Sequence, residues 1–204
     1  MKKLLFAAVL SGAALTSNAQ FQVNPQLGAT FQNLTTDKGF TSRSALGYQL
    51  GADLRIGDRL FFQPGAFIGR NATVITSTAM TGTETATIED NLIRTNLKLK
   101  ALVGYRIIDS YQFDLRFVAG PTYDVLLSSD LRDNSIAWNQ GDFNNGSFNV
   151  DAGLGFDMGM FTVEPSASFG LSRAFSDNPS VQNISSKYIT YGLTIGVNFG
   201  DDDK

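Results

Sequence analysis

The chain has 204 residues, 17% of them charged, a net charge of −3, and neither cysteine nor histidine. Without cysteine there is no disulfide framework and no thiol nucleophile, and without histidine the commonest general base and the usual zinc ligands are gone as well. The slightly acidic balance, with no basic cluster interleaved with aromatics, argues against nucleic acid as a partner.

Met1-Lys2-Lys3 carries positive charge, Leu4 to Leu15 is an apolar run too short to span a bilayer as a helix, and Ser17-Asn18-Ala19 ends a polar stretch with small residues. That order of regions predicts a secretory signal peptide, residues 1–19, cleaved after Ala19. Residues 20–199 then form one domain, with no Pro-rich or Gly/Ser-rich linker to divide it, and residues 200–204 an acidic tail.

Past the leader, alternate residues separate into two classes. Phe21, Val23, Pro25, Leu27, Ala29 and Phe31 oppose Gln22, Asn24, Gln26, Gly28, Thr30 and Gln32, the period-two pattern of a strand with one apolar face. The second segment sets Leu46, Tyr48, Leu50, Ala52, Leu54 and Ile56 against Gly47, Gln49, Gly51, Asp53 and Arg55. The third, Leu60 to about Gly69, breaks the rule because Phe61 and Phe67 fall opposite Leu60, Phe62, Ala66 and Ile68. Segments four (Ile93 to Arg106) and five (Tyr111 to Asp124) alternate most cleanly, and six (Phe148 to Asp157), seven (Phe161 to Leu171) and eight (Ile189 to Phe199) repeat the pattern.

The connections are unequal. Gly57-Asp58-Arg59, Ile108-Asp109-Ser110 and Gly159-Met160 have tight-hairpin lengths, whereas those near 33–44, 70–91, 127–146 and 173–187 are long. Segments that reach the roughly nine to eleven residues of a tilted membrane-crossing strand, with short turns on one rim and long loops on the other, predict an all-β fold. The expected architecture is an eight-stranded antiparallel up-and-down transmembrane β-barrel with short periplasmic turns and long extracellular loops. The turn lengths predict registers that pair Leu154 with Pro165, Gly155 with Glu164, Val103 with Leu115 and Arg94 with Asp124, each keeping apolar with apolar and polar with polar.

The polar face is rich in Gly, Gln, Thr, Ser and Asn rather than Lys and Glu, as a packed lumen requires. Its charges form the candidate site: Arg55, Arg94, Lys98, Lys100, Arg106 and Arg116 against Asp53, Asp114, Asp124, Asp151, Asp157 and Glu164. Such a balance reads as a salt-bridged plug, since an unpaired buried ion costs several kcal/mol and a paired one roughly breaks even. The alternative is a narrow pore, in which Arg94, Lys98 and Lys100 escape neutralisation by Asp114 and Asp124.

Tyr105, Tyr111, Phe156, Phe161 and Phe199 fit an aromatic girdle at the short-turn rim, and Tyr48, Tyr123 and Tyr188 lie toward the long-loop side. Pro64, Pro121 and Pro165 sit inside strands of a sheet with no free edge, where each is expected to require a bulge. In the loops, Trp138 and Phe143 are the candidate interaction residues, and Asp130, Asp133 and Asp142, with Asn134 and Asn144, match no EF-hand spacing. No catalytic residue, cofactor site or metal site is expected.

The leader, Gly47-Tyr48-Gln49-Leu50-Gly51, Leu60-Phe61-Phe62-Gln63-Pro64-Gly65 and a final strand ending Gly196-Val197-Asn198-Phe199 resemble the PorT-like outer-membrane β-barrel family of Bacteroidetes over essentially the whole mature chain. The resemblance implies an outer-membrane location and, for some members, association with secretion or gliding machinery. The chain departs from the usual barrel ending because Gly200-Asp201-Asp202-Asp203-Lys204 follows the terminal aromatic. Taken together, these features point to a non-enzymatic outer-membrane barrel whose partners are outer-membrane lipids, the barrel insertion machinery, and surface or secretion-system proteins. A soluble periplasmic ligand-binding barrel, with the two faces reversed, is the remaining alternative.

Overall fold

The computed structural model describes residues 21–36, 40–81, 84–110, 112–131, 144–173 and 186–200. The leader, Tyr111, Asp133, Asn134, Trp138, Asp142, Phe143 and residues 201–204 lie outside them.

Eight strands close on themselves. They are β1 (Phe21–Thr36), β2 (Phe40–Gly57), β3 (Leu60–Thr81), β4 (Glu84–Asp109), β5 (Asp114–Leu131), β6 (Gly146–Met158), β7 (Phe161–Gly170) and β8 (Ser186–Val197). Each pairs antiparallel with its chain neighbours, and β1 pairs with both β2 and β8, so no edge is left along the wall. A two-residue β9 (Phe199–Gly200) continues β8 along β1 in the same register: Gln26 faces Gly196, and Val23 faces Phe199. The interruption falls where Pro25 has no N–H to offer, and Asn198 instead donates its N–H to the Met160 carbonyl at 2.7 Å.

The polarity is that of a membrane wall. Leu27, Phe31, Leu46, Leu50, Phe117, Leu154, Leu193 and Ile195 face outward and exposed, while Gln22, Asn24, Gln26, Gln63, Thr162 and Thr194 are buried inside. Leu46 keeps 67% of its surface and Asn24 none. Hydrocarbon is the medium that satisfies this arrangement, because the strands pair in sequence around a closed wall while the side chains outside are apolar. The reversed-face reading, a soluble barrel around an apolar cavity, is therefore overturned.

Three sequence expectations change. The first concerns the rim with the longer connections. The segments expected to be loops near 33–44 and 70–91 are largely strand, with β3 and β4 in one register from Leu60↔Tyr105 to Thr81↔Glu84. Thr, Ser, Val and Ile dominate 72–81, so strand propensity is high, but with no single apolar face the segment does not announce itself by alternation. Similarly, β5 runs on to Leu131 and β8 starts at Ser186.

The second concerns the β4–β5 turn, which spans Ser110 to Phe113 and is not the expected 108–110. The Ser110 N–H donates to Asp114 Oδ1 at 3.1 Å and its hydroxyl to the Phe113 carbonyl at 3.0 Å, which closes a wider turn. An extra residue, Ile107, bulges from β4. The register therefore moves by four positions: Val103 faces Ala119 rather than Leu115, and Asp124 faces Lys98 rather than Arg94. An even displacement leaves every side chain on its expected face.

The third is the prolines. Pro64, Pro121 and Pro165 sit in unbroken registers, opposite Ala101, Val150 and Leu193, with no bulge at any of them. Each leaves a gap in the ladder only on its other side, toward the strand joined to it by a short turn, and the register resumes unchanged beyond the gap. The Gly159-Met160 turn is as expected, with Met158 facing Phe161 and Gly159 in the left-handed region at φ 59°. Around it, Gly153↔Ser166 and Phe156↔Val163 share the register that places Leu154 beside Pro165.

Candidate functional site

All twelve charged residues of the polar face point into the lumen; Lys98 and Asp124 are half-buried and the others buried. Strand phase alone aims them there, and the closed wall holds them within reach of one another.

They separate into two layers. Toward the short-turn rim, Arg116 on β5 is the centre, fully buried at 0% exposure. Its Nη2 lies 2.9 Å from Glu164 Oε2 on β7 and donates at 2.9 Å to Thr162 Oγ1, and its Nε lies 3.4 Å from Asp157 Oδ2 on β6. Arg55 on β2 shares that carboxylate from across the lumen, its Nη1 at 3.0 Å. Asp53 is held by amides rather than by a cation: Gln26 and Gln63 donate to its Oδ2 at 2.7 and 2.8 Å. Arg106 reaches Asp58 of the β2–β3 turn at 3.4 Å, and Asp114 caps the β4–β5 turn. The side chains of Asn24 and Asn198 are hydrogen bonded where β1 meets the end of β8.

Toward the loop rim, Lys98 pairs with Asp151 at 3.1 Å and donates to Ser168 at 3.1 Å, and the Thr122 hydroxyl supports the same carboxylate at 3.0 Å. Asn149 donates to Asp124 at 3.1 Å. Lys100 lies over the Phe67 ring at 4.0 Å and Arg94 over the Tyr188 ring at 4.1 Å. Asp114 is not the counter-ion expected for these cations, because as the first residue of β5 it lies beside the short β4–β5 turn, opposite Asp109 and Asp157; Asp151 pairs with Lys98 instead.

The plug also has apolar members that alternation could not explain. Phe61 and Phe67, out of phase in the sequence, point inward, and Phe61 packs with Leu102 and Val118 into an apolar cluster inside the lumen. Tyr188, placed with the rim aromatics by its position near a strand end, is buried inside. Its even number had already given it the polar phase of β8. The Phe61 ring lies across Gly104 and the Arg116 guanidinium across Gly155, where a Cβ on either glycine would fall inside the neighbouring group. Gly155→Val should therefore displace Arg116 from both carboxylates and lower stability by about 3 kcal/mol or more, the scale for breaking a buried pair, read from urea unfolding of the refolded barrel.

A polar cavity lined by Gln49, Lys98, Lys100, Asp151, Ser166 and Ser168, among others, has a volume of about 10 Å³, room for one water. Among the described residues no group of three or more Asp, Glu, His or Cys is placed to hold a metal ion. Of the loop carboxylates, Asp133 and Asp142 fall outside the described residues, as do the candidate contacts Trp138 and Phe143.

No protein-family model matches the chain, and no curated protein is similar to it in sequence at a significant level. Solved structures are similar in shape. The outer membrane protein OprG from Pseudomonas aeruginosa superposes with a TM-score of 0.52 at 15% identity, covering 90% of this chain and 97% of that one. Neisserial surface protein A gives 0.50 at 10% identity, covering 88% and 97%. The fold is that of the small outer-membrane barrels. At such identities the likeness extends to architecture and stops there.

Proposed function

We propose that this chain is a non-enzymatic integral outer-membrane protein whose sealed barrel serves as a rigid mount for the rim carrying its longer connections, where surface ligands or neighbouring proteins engage it. The observation that carries this reading is the set of large side chains buried inside an apolar wall: Arg116, Phe61 and Phe67 lie in the lumen, and the polar cavity described there has room for one water. Eight strands enclose only enough room for side chains, and aqueous channels take many more. The lack of histidine and cysteine supports a binding rather than a catalytic role. Membership of the PorT-like group, and with it a bacteroidete origin and a link to secretion machinery, rests on the sequence segments quoted above.

Two measurements test the proposal. Fractionation of the host should recover the protein with outer membranes, and the extracted barrel should migrate faster on a gel before boiling than after. Inserted into planar bilayers, it should show no stepwise conductance. A soluble periplasmic protein with no boiling-dependent shift would sink the membrane reading, and reproducible single-channel steps would replace the sealed mount with a narrow pore.

A further inference from the structure

The strands β8, β1, β2 and β3 form one continuous arc of the wall. Over their residues the sequence places a single acidic side chain, Asp53, and that one is buried in the lumen. The same arc carries three cations on its outside. Arg70 faces outward because its neighbour Asn71 bonds to Thr30 inside and its cross-strand partner is the exposed Tyr48. Arg43 lies opposite Val74, the position after the buried Thr73, beyond the irregularity between Ser44 and Tyr48 that resets the phase of β2. Lys187 precedes the buried Tyr188 and pairs with Thr35. All three are exposed.

Each cation is the next outward position beyond a large apolar residue, Ile68, Leu46 or Ile189, on the way to the loop rim. The outward aromatics Tyr48 and Tyr191, 61% and 55% exposed, stand in the same arc. Apolar side chains give way here to amphipathic rings and then to positive charge, with no outward carboxylate on the four strands of the arc; Glu84, Glu89 and Asp90 lie on the adjacent β4. That sequence of chemistries follows the depth profile of a bilayer, hydrocarbon to interface to phosphate. Arginine is suited to phosphate because its planar fork donates two parallel hydrogen bonds, and the long stems of all three residues can lie along the wall while their heads reach the phosphate level.

We infer that this arc is a docking surface for the phosphate-bearing headgroup of a membrane lipid in the leaflet at the loop rim, with Arg43, Arg70 and Lys187 as its contacts. The inference rests on the proposed membrane location. It is tested with the full chain refolded in mixed micelles doped with a phosphorylated glucosamine-disaccharide lipid or with the same lipid after phosphatase treatment, and retained lipid is read by native mass spectrometry. The wild-type barrel should keep the phosphorylated lipid and release the dephosphorylated one. The triple variant Arg43→Gln, Arg70→Gln, Lys187→Gln should lose retention by about fivefold per cation, on the order of a hundredfold in all. Arg59→Gln, which removes an exposed cation lying over Tyr105 at the opposite rim, should stay near wild type.

Boiling-dependent gel migration verifies folding of each variant, and if the triple variant does not fold, the single Gln variants carry the comparison. Equal retention by wild type and the Gln variants, equal retention of both lipids, or occupation of these cations by an acidic protein in place of lipid would each overturn the assignment. Failure of the wild-type barrel to enter micelles at all would instead bring down the membrane reading beneath it.

Discussion

Arg116→Leu should be among the most destabilising single substitutions in this barrel, costing about 3–5 kcal/mol in urea unfolding from detergent or bilayers. The reason is asymmetry. Truncating Arg116 strands Glu164, which has lost its partner at 2.9 Å and is almost wholly buried, and leaves Asp157 with Arg55 as its one remaining cation beside the Asn198 amide. Glu164→Leu by itself should also destabilise, because it leaves a buried guanidinium with one carboxylate instead of two. The double variant should be closer to wild type than the sum of the two, since apolar replacement of both partners removes the stranded charge along with the attraction. Additive losses would show that the pair is not coupled and that Arg116 matters for packing only.

Phe61→Ala should cost a similar amount, about 3–5 kcal/mol, through the space it opens beside Leu102 and Val118. It should also give the lumen a measurable ion leak, because the apolar cluster is part of what closes it. Gly104→Leu fills the volume from the facing strand: alone it should destabilise by about 1–3 kcal/mol through overpacking against the Phe61 ring, and in the Phe61→Ala background it should recover part of the loss. A Phe61→Ala barrel that stays both stable and silent would mean that the charged layers alone make the seal.

Particular elements explain how much of this was legible in the chain. The faces of β1, β2, β5 and β6 follow from alternation because one side meets hydrocarbon and the other a crowded lumen, and the twelve inward charges follow from phase. Their partners do not follow, because pairing across a lumen depends on register and closure. The four-residue displacement at the β4–β5 turn kept every face and exchanged the cross-strand neighbours of β4 and β5, so Asp124 came to face Lys98, while Asp151 on β6 reaches the same lysine from another strand. Asp53 shows the same limit from the other side: a charge-counting argument looks for a cation and misses Gln26 and Gln63, which hold it. Phe61 and Phe67 carried a signal, their wrong phase, and its meaning was that a plug of rings and glycines complements the plug of charges. Strand extensions beyond the apolar band, in β3 and β4 above all, carry no alternation because both of their faces leave the hydrocarbon.

The interruption at Asn198 gives the closure seam a mechanical character. From Gln26 to Thr36, β1 is laced continuously to β8, while past Pro25 only Gln22 and Val23 are matched, to the two residues of β9. A force applied at the C terminus would meet two separate resistances: a brief one as Phe199 and Gly200 peel away, then a much larger one at Gly196. Between the two, the bonded side chains of Asn24 and Asn198 carry the seam where the ladder is interrupted, so the closure depends there on one amide pair in place of backbone lacing.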